Sequence, residues 1–255
     1  MTMLRSSFRR LPAPVLLAAA LAWLSCTAHA VTLLTEENPP FNYTEAGKLT
    51  GSATEMVQEI VRRSGLPAKF DVLPWDIAYK RAQGERDTCL FATARLENRE
   101  RLFTWIGPLG KNFWGVFGRP EFAIPIRTLE DLKPYRIGGV ISDAKIEYLR
   151  ENAVTNIKAV PEDKFNPPRL MLPADDPNHI DVWVTGLYAA RDVARAAGVA
   201  GIKLVFVARE IPVYLACSPQ MPPATLKALV DAFELVKAEG ILERINAVYD
   251  KKFGR

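Results

Sequence analysis

Arg95, Arg99 and Arg101 crowd into the stretch FATARLENRERLFTWIGPL, which runs from Phe91 to Leu109. A short apolar run precedes them, and Phe103 and Trp105 follow. A guanidinium is planar, permanently charged and forked, so it matches a carboxylate with two parallel hydrogen bonds. A strand that ends in such a cluster beside aromatic rings can hold a small anion. Other chemistry is thinly supplied. Beyond the first thirty residues His179 is the only histidine, in a loop-like PNHID, and no Ser-His-Asp arrangement, HExxH or CxxC occurs. Cys89, Cys217 and His179 are too scattered to read as a zinc site. The residues point to a binding site without metal or cofactor, and not to an enzyme.

The elements that must position these arginines alternate. Val31 to Thr35 reads as a strand, and Pro39-Pro40 holds the following loop extended. Ser52 to Ser64 is a helix with Ala53, Met56, Val57, Ile60 and Val61 on one face. Ser52-x-x-Glu55 reads as a capping box, and Gly65 and Pro67 as the stop. Lys69 to Leu73 is a second strand, PWDIAYKRAQG a helix, and Cys89 to Thr93 a third strand. This β-α-β-α-β order implies a parallel sheet, whose ligands sit outside the carboxyl ends of the strands. The loops at those ends carry Asn38 and Phe41, then Trp75, then Thr93 to Arg99.

Lys111 to Gly118 is a further strand, and a second α/β block begins after Arg119-Pro120. In it, Tyr135 to Ile141 and Ile157 to Val160 read as strands, and Ser142 as a cap for the helix DAKIEYLREN. Asp163 to Pro177 is irregular. Ile180 to Val184 is a strand, Thr185 to Gly198 a helix, and Ile202 to Val207 a strand. Ile211 to Ser218 gives one more strand before two helices, Ala224 to Ala238 and Gly240 to Tyr249.

The amino terminus reads as a cleavable secretion signal over 1–30. Met1 to Arg10 is basic, LPAPVLLAAALAWL is apolar, and Ala28-His29-Ala30 is a cleavage box. Cys26 raises a lipoprotein form, although Trp23-Leu24-Ser25 is a poor lipobox. The 33 Lys and Arg stand against 29 Asp and Glu; losing Arg5, Arg9 and Arg10 with the signal leaves 30 against 29. That near-neutral balance lacks the basic surplus of a nucleic-acid binder. An oxidising compartment permits a Cys89–Cys217 disulfide; two buried thiols are the alternative.

In order and spacing, several blocks together resemble a known family. They are NPPFNY-x4-KLTG-x3-EMVQEI, LPWDIAYKRAQG, ARLENRERLFTWIGPL, LKPYRIGGVISDAKIEYL, IDVWVTG, YLACSP and VYDKKF. The chain resembles the periplasmic solute-binding proteins of the amino-acid type, family 3 of the bacterial extracellular binding proteins. That resemblance implies an α/β, two-lobed periplasmic-binding-protein fold (type II) with two hinge crossings. Lobe 1 would be 31–118 plus 210–255, and lobe 2 would be 119–209. It implies a monomer in the periplasm that closes on a small solute and delivers it to an inner-membrane ABC permease. It makes Arg99 the clamp for the ligand carboxylate, with Arg95 facing the cleft or solvent, and Arg101 in solvent. Thr93, Ala94 and Thr185 would add polar contacts, and Phe41 and Trp75 would pack on the ligand or within the core. The turn from Ile141 to Ala144, with Ser142 and Asp143, would be an anion-facing helix start; Asp143 would meet a cation or cap the helix. Departures are also visible. Leu96 replaces a hydroxyl residue, Asn38 an aromatic, and Gly186 the aspartate that holds an amino group. The alternatives are a scaffold or sensor module of the same fold that has lost its ligand, and, last, an enzyme.

Overall fold

The computed structural model describes residues 30–253. The expected signal, apart from Ala30, lies outside these residues. The elements in chain order are β1 (Val31–Thr35), β2 (Tyr43–Glu45), β3 (Lys48–Thr50), α1 (Ser52–Ser64), β4 (Ala68–Val72), α2 (Trp75–Gly84), β5 (Thr88–Ala94), β6 (Thr104–Gly118), β7 (Ile137–Val140), α3 (Ala144–Glu151), β8 (Ile157–Val160), α4 (Asn166–Leu170), β9 (Val182–Gly186), α5 (Ala190–Ala196), β10 (Lys203–Cys217), α6 (Pro223–Ala238) and α7 (Ile241–Phe253).

Eight strands hydrogen-bond in the order β4-β1-β5-β10-β6-β9-β7-β8. Three parallel strands, β4, β1 and β5, form one end, and β9, β7 and β8 the other. Between them run β6 and β10, fifteen residues each and antiparallel to one another. These two long strands belong to both ends and are the two crossings of a two-lobed fold. The first lobe packs α1, α6 and α7 around Val31, Leu33, Met56, Ile60 and Phe91, and the second packs α3 around Ile137, Ile146, Leu149 and Val182. Each such fully buried aliphatic side chain contributes roughly 1.5–3 kcal/mol over an exposed one. Smaller apolar clusters cross the seam between the two cores, Val140 against Trp75 and Ala144 with Ala94 and Leu96.

Several sequence expectations need correction. The two strands expected at 202–207 and 211–218 are one, β10, which runs through Pro212. At Pro212 the strand pairs with Lys111 of β6, and pairing with β5 begins only at Val213, so the missing N–H falls where one side is open. The helix expected from Thr185 starts at Ala190, because Thr185 and Gly186 pair with Gly115 and Trp114 in the sheet. The irregular stretch after Asp163 contains a 3-10 turn and α4. The capping box at Ser52 does not form. The first-turn N–H groups of Ser52, Ala53 and Thr54 donate to the carbonyls of Pro40 and Phe41 instead. Gly51 permits this at φ 121, where a Cβ would lie 2.3 Å from the Phe41 oxygen. Glu55 is then free to accept the Tyr249 hydroxyl of α7 at 2.6 Å.

Cys89 and Cys217 are register partners on β5 and β10 and are joined by a disulfide. On the second lobe, α3 lies tight on β7: a Cβ at Gly139 would sit 2.4 Å from Ile146 Cδ1. That contact fixes where the first turn of α3 meets the seam. His179 is fully buried and spends its ring on the Leu172 carbonyl and Asp181, at 2.8 and 3.1 Å. Among the described residues no helix is long and apolar enough to cross a membrane.

Candidate ligand cleft

The carboxyl ends of the parallel strands of both lobes face one another across the seam. Glu36 and Asn38 follow β1, Trp75 opens α2 after β4, and Ala92, Ala94 and Arg99 come from β5 and the 3-10 turn Glu97–Leu102. Asn112 and Trp114 come from β6, and Asp143, Ala144 and Lys145 from the turn into α3. Together they enclose a cavity of about 20 Å³, room for roughly one water. A larger groove of about 560 Å³ opens beside it, sharing Glu36 and Trp75 and adding Asp163, Val72, Pro74 and Val193.

Arg99 is 1 % exposed. Its guanidinium lies 4.7 Å over the Tyr79 ring and 5.7 Å over the Trp75 ring, which set its plane. Nε and Nη2 each donate to the Glu147 carboxylate at 2.8 Å. Nη2 also donates to the Ser142 carbonyl at 3.0 Å, and the Trp75 indole N–H donates to the same oxygen at 2.8 Å. Nη1 is buried and has no hydrogen-bond partner. Arg99 and Trp75 come from the first lobe, Glu147 and Ser142 from the second, so these bonds bridge the seam. Burial raises the Tyr79 phenol pKa, against a lowering by Arg99.

Asp143, and not Ser142, caps α3. Its carboxylate accepts the Lys145 backbone N–H at 2.7 Å and the Lys145 ammonium at 2.8 Å, both side chains being buried. Ser142 sits at φ 59, a left-handed turn that turns its carbonyl to Arg99 and Trp75. Asp163 accepts the Trp183 indole N–H at 2.7 Å and the Thr185 hydroxyl. Burial pushes Glu36 well above the usual carboxylate range, helped by Asp143 and Asp163 and opposed by Lys145 and Arg99. Burial also raises Asp163, against Lys145, Thr185 and Trp183. Burial pulls the Lys145 ammonium down, but Asp143, Glu36 and Asp163 outweigh it and leave it raised.

Of the residues expected at a site, the cleft gathers Arg99, Ala94, Asn38, Trp75 and Asp143, and Ser142 through its carbonyl. Others lie elsewhere. Arg95 pairs with Glu100 and lies over Trp105 and Tyr214. Thr93 donates its hydroxyl to the Leu90 carbonyl at 3.1 Å. Phe41 belongs to the first-lobe core, and Thr185 stands behind Asp163. Gly186 has only the amide oxygens of Asn38 and Asn112, each 3.8 Å from a Cβ built there. Sequence reasoning missed Glu36, Lys145, Glu147 and Asp163. Glu36 and Asp163 each sit just past a strand's carboxyl end, which was the available signal.

A guanidinium, an ammonium and several carboxylates in a closed seam can recognise a small charged solute. Several solved structures share this architecture. A histidine kinase sensor domain with similarity to periplasmic binding proteins superimposes with a TM-score of 0.75 at 18% identity, over 87% of this chain and 96% of its own. An ancestral arginine-binding protein bound to glutamine gives 0.71 at 20% identity, over 89% and 98%. The arginine-, lysine-, histidine-binding protein ArtJ from Geobacillus stearothermophilus gives 0.72 at 16% identity, over 89% and 96%. At such identities the likeness is one of fold. No curated protein matches the chain. A family model matches residues 31–252, nearly everything described: the chain belongs to the bacterial extracellular solute-binding proteins, family 3.

Proposed function

We propose that the chain is a periplasmic, monomeric binding protein. It captures a small polar solute bearing a carboxylate, an amino acid or a relative, between its lobes and delivers it to an ABC-type permease. The carrying observation is Arg99. A buried guanidinium whose residue lines the cavity, stacked on two aromatic rings and left with one unpartnered nitrogen, is a donor awaiting an acceptor. Family membership and neighbours that bind amino acids support the reading. A ligand of the closed form stabilises it by mass action, about 2.7 kcal/mol at a hundredfold excess over Kd. For a chain of this size that is a rise of roughly 5–10 °C in melting temperature. A thermal-shift screen of the secreted chain against amino acids and small carboxylates tests this, and silence across the whole set would sink it.

A second reading is a sensor module or a scaffold that has lost its ligand. It is favoured by one observation, that the chain's own Lys145 lines the inner cavity with its ammonium on Asp143. A histidine kinase sensor domain is built on the same fold. Cells lacking the chain separate the two: delivery predicts lost uptake of the solute, sensing predicts normal uptake.

A further inference from the structure

The acids around the cavity are matched within the chain. Asp143 holds Lys145, both side chains being buried, and Glu147 holds Arg99. Asp163 accepts from Trp183, Thr185 and Asn166. Burial favours the neutral, protonated form of Glu36. A Cβ built at Gly186 meets only the amide oxygens of Asn38 and Asn112, which carry no charge. Among the residues lining the cavity, one buried side-chain atom has no hydrogen-bond partner, Nη1 of Arg99. The groove beside the cavity has a different character. At about 560 Å³ it is large enough for a small organic molecule. The first lobe lines it with Pro39, Val72 and Pro74, and the second with Pro161, Val193 and Ala196. Its rim acids have partners already: Glu37 accepts from Thr44, Glu162 pairs with Lys164, and Asp192 with Arg195. The seam thus offers one free donor at its inner end and an apolar trough outside, and no ionised carboxylate without a partner.

We propose that the solute is an amphipathic carboxylate without an ammonium group, its head on Arg99 and its apolar body in the groove between Val72 and Val193. This rests on the binding reading above. The inner cavity, with room for roughly one water, admits the head alone, so the body extends past Glu36 and Trp75, which both spaces share. The carboxylate takes Nη1 of Arg99, and the protonated Glu36 is a second donor on the same wall. An ammonium on the carbon next to that head would enter beside the Lys145 ammonium. The nearest acid, Asp143, is already held by that ammonium. Lys145 therefore acts as a specificity residue that keeps out solutes bearing a second cation, and the trough selects for the length of the body.

Calorimetry on the secreted chain with acetate, hexanoate, octanoate, 3-phenylpropanoate, L-phenylalanine, L-alanine, L-glutamate and L-arginine tests this. The expected result is binding of octanoate or 3-phenylpropanoate, lost in Arg99→Ala. From hexanoate to octanoate the affinity should rise about fourfold for each methylene. L-Phenylalanine, which differs from 3-phenylpropanoate by its ammonium alone, should bind more weakly by about tenfold or more. Val72→Asp and Ala196→Glu each place a charge on the trough at an exposed position. Either should weaken octanoate by about tenfold, and one stands in should the other not fold. Preference for L-phenylalanine over 3-phenylpropanoate, or for L-alanine, L-glutamate or L-arginine over octanoate, overturns the proposal and leaves the binding reading intact. Octanoate binding that neither trough substitution weakens, or that survives Arg99→Ala, overturns it too. Silence of every probe overturns both.

Discussion

The arginine wall and the acidic wall of the cleft differ in what they hold together. Arg99 and Trp75 reach from the first lobe to Glu147 and Ser142 of the second, so their bonds exist only when the seam is shut. Asp143 and Lys145 satisfy one another two residues apart, and Asp163 is held by Trp183 and Thr185 of its own lobe. On the proposed binding reading, the arginine wall couples recognition to closure. Asp143, Lys145 and Asp163 of the acidic wall are preassembled within one lobe, and Glu36 joins them from the other. Substitutions on the two sides should fail in different ways.

The largest effect is expected at Arg99. Arg99→Ala removes the proposed carboxylate partner of the solute, breaks the tie between lobes and leaves Glu147 facing the seam without its cation. Breaking one side of a buried pair costs about 3–5 kcal/mol. The Glu147 side chain is 22% exposed, which sets the figure at the lower end, about 3 kcal/mol. Solute affinity should fall more than a hundredfold, and small-angle scattering should show a more open particle. Glu147→Gln should loosen the lobes while sparing the carboxylate partner, so it should cost stability and little affinity. Equal affinity in Arg99→Ala and the wild type would break the contrast between the walls.

A smaller effect, of opposite character, is expected at Glu36. Its pKa is raised in the folded chain, so between the ordinary carboxylate value and the raised one the folded state binds more protons than the unfolded state. Stability then falls as pH rises through that window. Asp163 acts with the same sign. Groups held low oppose it: Glu59, brought to about 2 chiefly by Arg62, adds stability as pH rises from that value toward 4.5. The difference between wild type and Glu36→Gln isolates Glu36, since the other groups cancel. Urea midpoints from pH 4 to 8 should show the wild type losing ground to the variant as pH climbs. Parallel curves would mean that burial does not hold Glu36 protonated in the folded chain.

The arginine wall was legible in the sequence and the acidic wall largely was not, for reasons of distance along the chain. The β-α-β order, the family blocks and Arg99 all show in local pattern. Asp143 and Lys145 are two apart, a spacing that on a helix points side chains to different faces. They meet because Asp143 lies outside the helix as its cap, and its carboxylate folds back over the first turn. Asp163 comes from a stretch rich in proline and acids. Only the register of β9, with Trp183 and Thr185 one above the other along the strand, tells where it points. Pro212 misled the strand boundary because an open strand side is a property of the sheet. At Ser52 the helix start was legible and the capping box was not, because the first-turn N–H groups donate to carbonyls of residues 40 and 41.

The smallest effect is expected at Arg95, the nearest control for Arg99. The two share one arginine-rich stretch, yet the 3-10 turn Glu97–Leu102 sends them to opposite environments. The Arg95 side chain is 39% exposed, paired with a more exposed Glu100, and its guanidinium lies 5.8 and 5.5 Å from the Trp105 and Tyr214 rings. An exposed pair of this kind contributes about 0–1 kcal/mol and is screened by salt. Arg95→Ala should lower stability by no more than about 1 kcal/mol and leave solute affinity within roughly twofold. A tenfold loss of affinity would mean that Arg95 swings into the cleft when solute is bound. The carboxylate would then be held by two guanidiniums, and the arginine wall would extend beyond the residues that now close the seam.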